Sequence, residues 1–255
     1  MKPHGPNAFK FDKEFFLLQQ TGRAKHMEIV VCIKQVPDTT EVKIDPVTNT
    51  LIRQGVPSIV NPFDKNALEA ALQLKTQYGG KVTVLSMGPP QAKEALKECL
   101  AMGADEAILM SDRAFGGSDT LATSHTLAAG IKKMGKVDLI ICGKQAIDGD
   151  TAQVGPEMAE HLDLTQVTYV AKIESVDGNV IRVQREHEEG YEIIDAKMPA
   201  LLTVVKSINE PRSATVKGLM KANRKEIPVW TAADVEVNAS AIGLTGSPTQ
   251  VRRIF

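Results

Sequence analysis

Cysteine is scarce, and the three present, Cys32, Cys99 and Cys142, are odd in number, widely spaced and set in apolar runs. This excludes a disulfide framework and a zinc-finger spacing, and fits buried thiols in a reducing, cytoplasmic compartment. The five histidines show no HExxH or paired spacing, so no metal-ligating set stands out. No apolar run approaches the roughly 18 residues of a membrane span. Neither sign of charge dominates, since 30 basic residues face 31 acidic ones. Bulk electrostatics therefore point to neither nucleic acid nor a membrane surface. Also missing are a GxGxxG after the first strand, a Walker A lysine loop, a GxSxG elbow, and a Cys or Ser with a histidine close by. A binding or carrier role therefore ranks above catalysis by side chains.

What is there is a hydrophobic content of 43% over 255 residues, enough for one large α/β domain with an arm or for two small domains. Residues 1–26 differ from the rest: they hold Phe9, Phe11, Phe15 and Phe16 and end before a second methionine, Met27. We read them as an appendage, whether a vector-derived leader, a misplaced start or a short docking segment. Their FFLL run is too short for a signal peptide.

From Glu28 the run IVVCIKQVPD predicts a buried first strand, closed by Pro37 and Asp38. VKID and TLIR then alternate around Asp45-Pro46 and Asn49, the pattern of a small hairpin. Asn61 reads as the cap of a helix with Pro62 in its first position and Asp64 in its first turn. Gly79-Gly80 stops that helix. A second strand, KVTVLSM, ends at Met87, and a helix follows up to Gly103. A third strand, Glu106 to Met110, opens into SDRAFGGSDT, and the next helix ends at Gly135. Strands separated by single helices predict an open, mostly parallel sheet with helices on both faces. After Gln166 the pattern alternates, with turns at Asp177-Gly178-Asn179 and Glu189-Gly190, which predicts antiparallel edge strands. From Lys206 the chain is basic and irregular.

The stretch IICGKQAIDGDTAQVGPEMAEHL, Ile140 to Leu162, is a strand, a polar loop and a helix start. The first N–H groups of such a helix suit a phosphate, and loops beyond strand carboxyl ends are where open α/β sheets bind ligands. The plain alternative is that Asp150 and Gln153 form a capping box. Pro156 requires that the helix kink there or begin near Gly155.

Val183 to Thr203, VQREHEEGYEIIDAKMPALLT, resembles the signature of the small (beta) subunit of electron-transfer flavoproteins. Similar to that family too are VCIKQVPD, NPFDKNALEAALQLK, VLSMGPP, CLAMGADEA, GKQAIDGDTAQVGPE and EPRSATVKGLMKAN, so the resemblance runs from Met27 to about Gln250. It implies an adenine-nucleotide-binding α/β fold over 27–205, a partner-docking loop and C-terminal arm over 206–255, and a heterodimer with a larger, flavin-carrying alpha subunit. It also implies nucleotide contacts at Cys32, at Asn61, Pro62, Phe63 and Asp64, and at Met87. The longest implied contact is Gly143, Lys144, Gln145, Ala146, Ile147, Asp148, Gly149, Asp150, Thr151, Ala152, Gln153 and Val154.

Within that family the sequence resembles the bifurcating members, whose small subunit holds FAD, takes a hydride from NADH and sends its electrons along two routes. The acceptors are ferredoxin or flavodoxin and an acyl-CoA dehydrogenase-type flavoprotein. The other possibility is the simple carrier, whose small subunit holds AMP. A stress-type ATP- or AMP-binding protein shares the fold but lacks the Val183 to Thr203 signature. On the bifurcating reading Arg113, Gly116, Gly117, Ser118, Asp119 and Thr120 meet a pyrophosphate or the flavin, glycine allowing close approach. The plain alternative is a glycine-rich surface turn. Pro211, Arg212, Val216 and Met220 lie in the likeness of the family's recognition loop, with Val216 where simple carriers often have leucine. The chain stops at Phe255, whereas relatives usually continue into a segment that clasps the large subunit. Half the electron path lies in that subunit, so the chain alone is expected to be inactive toward NADH.

Overall fold

The computed structural model describes residues 26–38, 43–44, 51–52 and 57–249. The leader up to residue 25, the turn residues Asp45, Pro46 and Asn49, and the last six residues lie outside these. A nine-stranded sheet is built from β1 (Met27–Ile33), β6 (Gly80–Met87), β7 (Glu106–Met110), β8 (Leu139–Gly143), β9 (Thr165–Asp177), β10 (Val180–His187), β11 (Gly190–Lys197), β12 (Ala200–Val204) and β13 (Val229–Trp230). Short β2 (Gln35–Pro37) pairs with β5 (Ser58–Val60), and β3 (Lys43–Ile44) with β4 (Leu51–Ile52), the antiparallel excursion expected there.

The order is β11-β10-β9-β12-β8-β1-β6-β7-β13. Every pair from β9 across to β13 is parallel, and β10 and β11 form the antiparallel edge. Two placements differ from the sequence reading. β12 closes the alternating run yet slots between β8 and β9 in parallel, and β13 extends the sheet beside β7. The long apolar runs follow from burial on both faces. On one face Ile29, Val31, Val84, Leu109 and Ile141 pack against α1 (Pro62–Tyr78) and α2 (Lys93–Met102). On the other, Val30, Leu85, Ile108 and Ile140 pack against α3 (Thr120–Met134) and α4 (Val154–Leu162). Gly79 and Gly135, both at positive φ, end α1 and α3 as anticipated. A last helix, α5 (Val216–Arg224), lies on α2, where Gly218 allows close approach because a Cβ there would stand 2.2 Å from the Ala101 carbonyl oxygen. Among the described residues no helix is long and apolar enough to cross a membrane.

From β1 the chain steps one way through β6 and β7, then returns to the opposite side of β1 as β8. The strand order thus reverses between β1 and β8, and open α/β sheets bind ligands beyond the carboxyl ends at such a point.

Candidate functional site

Three segments meet at that reversal: the end of β1, the start of α1, and the loop from β8 to α4. Asp64, in the first turn of α1, ties the two strand ends together. Its carboxylate accepts the Lys34 N–H at 2.8 Å and the Gly143 N–H at 3.1 Å. Burial pushes its pKa up to about 7, against the opposing pull of the N–H groups of Lys34 and Gly143 and of the Asn61 side chain. Gly143 has no room for a side chain, since a Cβ would lie 2.4 Å from Asp64 Oδ1 and 2.5 Å from Phe63 Cβ.

Asn61 holds the loop from below. It does not cap α1 through its side chain, contrary to the sequence reading, because that side chain is engaged with the loop from β8 to α4. Its amide donates to the Gln145 carbonyl at 2.8 Å and accepts the Ile147 N–H at 3.2 Å. Asn61 is fully buried, so these bonds fix the loop's inner turn.

The outer turn is strained. Asp150 and Ala152 adopt left-handed φ values of 55° and 54°, a conformation that costs a non-glycine residue about 1 kcal/mol or more. The Asp150–Gln153 capping box does not form: the Asp150 carboxylate instead accepts the Gln145 amide, and Gln153 precedes α4 without a side-chain bond. α4 begins at Val154, which places Pro156 in its first turn without a kink. Among the described residues, the N–H groups of residues 151–155 donate to no protein acceptor. Gly155 is buried there, held close to Thr203 and Cys142. A run of unpaired N–H groups ending at a helix N-terminus forms an anion cradle. Lys34, which sequence reading passed over, reaches across the mouth to Asp148, 2.7 and 2.8 Å from its two carboxylate oxygens. The available signal was a basic residue directly after a buried strand.

Cys32 is buried beneath α4 with its sulfur 4.0 Å from that of Met158, and burial pushes its thiol up to about 12, which makes it a packing group rather than a nucleophile. Lys144 Nζ sits 4.7 Å from the centre of the Tyr169 ring, and the Phe63 ring lies under Lys206. Met87 is half-buried at the end of β6. The β7–α3 loop adjoins the cradle through a 3.1 Å hydrogen bond from Thr120 Oγ1 to Glu157. Its Arg113, Gly116 and Gly117 are exposed, and residues 243–249 pack against the turn from one side: Leu244 N–H donates to the Gly116 carbonyl at 3.1 Å. The Asp119 N–H donates to Ser247 Oγ at 2.8 Å, and the Asp119 carboxylate accepts the Thr249 N–H and hydroxyl.

In the 206–255 stretch, Arg212 clamps the buried Glu69 of α1 through two guanidinium bonds of 2.7 and 2.9 Å. This fixes the loop that carries Pro211. Val216, Leu219 and Met220 of α5 are exposed.

The sequence matches the family model for the electron transfer flavoprotein domain over residues 48–235. It is 63% identical over 227 residues to the electron transfer flavoprotein subunit beta of Clostridium acetobutylicum, covering 89% of this chain and 87% of that one. It is 59% identical over 230 residues to the caffeyl-CoA reductase-Etf complex subunit CarD of Acetobacterium woodii, covering 90% and 87%. To the protein FixA of Azorhizobium caulinodans it is 51% identical over 236 residues, covering 90% and 84%. With three quarters of the chain matched and relatives this similar along nearly its whole described length, the chain belongs to the electron-transfer flavoprotein family, as a beta subunit.

Proposed function

We propose that this beta subunit holds FAD and, with its alpha subunit, takes electrons from NADH and bifurcates them. One route leads to ferredoxin or flavodoxin and the other to an acyl-CoA dehydrogenase-type flavoprotein. The observation that carries the nucleotide reading is the run of unpaired N–H groups at 151–155, on a strained loop at the reversal of strand order. A phosphate group fits that donor set. When bound, FAD supplies hydride acceptance from NADH and one-electron delivery. The chain's own residues bind and orient: Asn61 and Asp64 fix the loop, and Gly143 keeps the backbone close.

FAD is favoured over AMP because a second polar loop, with the exposed Arg113, adjoins the cradle, where a ligand longer than a mononucleotide has a further surface to meet. The name of the CarD relative, a subunit of a caffeyl-CoA reductase-Etf complex, agrees with delivery to an acyl-CoA-type oxidoreductase. One observation favours the simple AMP-holding carrier instead: residues 243–249 already bond the Gly116 carbonyl and the Asp119 N–H. We assign nucleotide binding to 27–205 and docking to 206–255, with Val216 and Met220 exposed on α5, Pro211 in the segment before it, and Arg212 holding that segment on Glu69. We infer a cytoplasmic location, a reading that the free, buried thiols support.

The test is the nucleotide released on denaturing the heterodimer purified with its large subunit. Two FAD per heterodimer without AMP is the expected result. One FAD with one AMP refutes bifurcation by this subunit.

A further inference from the structure

We infer that Lys34 is the side chain that grips the nucleotide's phosphate, and that Asp148 is its placeholder when no nucleotide is bound. This rests on the nucleotide reading of the cradle and names the residue that reads the ligand's charge. Lys34 directly follows β1, and its N–H is fixed on Asp64, so its side chain starts from a rigid point. It then crosses the reversal point to both oxygens of Asp148, on the loop that presents the unpaired N–H groups. The two side chains are 49% and 30% exposed, so the pair sits at the mouth, where an exposed ion pair contributes little and exchanges readily.

The other nearby cations are engaged differently: Lys144 lies over Tyr169, and Lys206 over Phe63. An ammonium with three donors and no planar constraint donates to a phosphate oxygen as readily as to a carboxylate oxygen. The exchange makes and breaks no covalent bond; Asp148 is released toward solvent as the phosphate takes its place. Asp148 therefore competes with the ligand, and the two residues act with opposite signs on affinity. An ion pair serving only to hold the loop predicts the same sign for both.

The experiment uses the heterodimer stripped of nucleotide, with dissociation constants measured by calorimetry for FAD, AMP and adenosine. Lys34→Met weakens FAD and AMP by about tenfold or more while leaving adenosine, which has no phosphate, unchanged. Asp148→Asn tightens both phosphate ligands by about twofold or more. Lys34→Arg restores most of the lost affinity, and in the double variant Asp148→Asn has no further effect. Weakening by both single variants, or equal loss for adenosine and AMP, overturns the inference and makes the pair structural; so does Lys34→Met without effect. If AMP binds and FAD does not, the proposed cofactor falls, while the AMP and adenosine arms still decide the role of Lys34.

Discussion

Two loops leave the same end of the sheet, and both were read as phosphate loops from their small and polar residues. They are built in opposite ways. The β8–α4 loop is held from beneath by Asn61 and Asp64, side chains of another element, which leaves its outer N–H groups unpaired. The β7–α3 loop is richer in adjacent glycine, and residues 243–249 bond its Gly116 carbonyl, its Asp119 N–H and its Asp119 carboxylate from above. Glycine marks where something approaches the backbone closely, and at Gly117 what approaches is the chain itself, with a Cβ there only 3.3 Å from that of Leu244. The two anchoring aspartates differ accordingly. Burial drives Asp64 up to about 7. Burial also raises Asp119, but bonds from Ala122, Thr249 and Leu121 outweigh it and hold that carboxyl below its usual range.

The contrast breaks most sharply at Gly143. In Gly143→Ala the new methyl group meets Asp64 Oδ1 at 2.4 Å and the Phe63 backbone carbon at 2.7 Å, so the strand end and helix start must separate. A loss on the order of 3 kcal/mol is expected in urea unfolding, with nucleotide affinity lost as well. Gly117→Ala should cost only about 1 kcal/mol, for a left-handed φ against a side chain that can shift. Equal losses at the two glycines would erase the distinction between the loops.

Asp64→Asn comes next. An amide presents one acceptor and one donor to two backbone donors, which leaves the Lys34 or Gly143 N–H unpaired at a cost of about 2 kcal/mol. The pH dependence has a definite sign. The native pKa lies above the unfolded value, so the wild-type residue's contribution is complete near pH 4 and is lost as pH rises toward about 7. Asparagine does not titrate, so the penalty of the variant should shrink between pH 5 and pH 8. A penalty that grows over that range would mean Asp64 is an ordinary ionised brace.

Much of the sheet was legible because strands buried on both faces leave continuous apolar runs, as in Ile29 to Ile33 and Leu139 to Cys142. β13 was not, because Val229 and Trp230 carry no periodicity and owe their strand geometry to β7. Asn61 was rightly placed at the N-cap of α1 and wrongly given a side-chain capping bond, since its side chain's partners lie 84 and 86 residues away and local pattern holds no trace of them. Asp150 failed as a capping residue for a related reason: a left-handed backbone turns it toward Gln145. Lys34 was in plain view in VCIKQVPD, but only the fold reveals that the β8 loop crosses above it. The sequence locates the loops; what braces or covers each one is a long-range matter.

The smallest effect sharpens the comparison from the other side. Asp119 caps α3 through the Ala122 N–H at 3.1 Å and, on its other oxygen, accepts the Thr249 N–H and hydroxyl at 3.0 and 2.8 Å. Because the site is near the surface, Asp119→Ala should cost about 1 kcal/mol, the ordinary value of a lost cap. Here the native pKa lies below the unfolded one, so the contribution is present above about pH 4 and disappears as pH falls through the native value. The penalty of Asp119→Ala should thus fade on acidification, where that of Asp64→Asn is greatest. Thr249→Ala should loosen residues 243–249 in hydrogen exchange without touching α3, because the Ala122 bond survives. If it destabilises α3 as much as Asp119→Ala does, cap and cover are one cooperative unit, and the β7–α3 loop is braced as firmly as its counterpart.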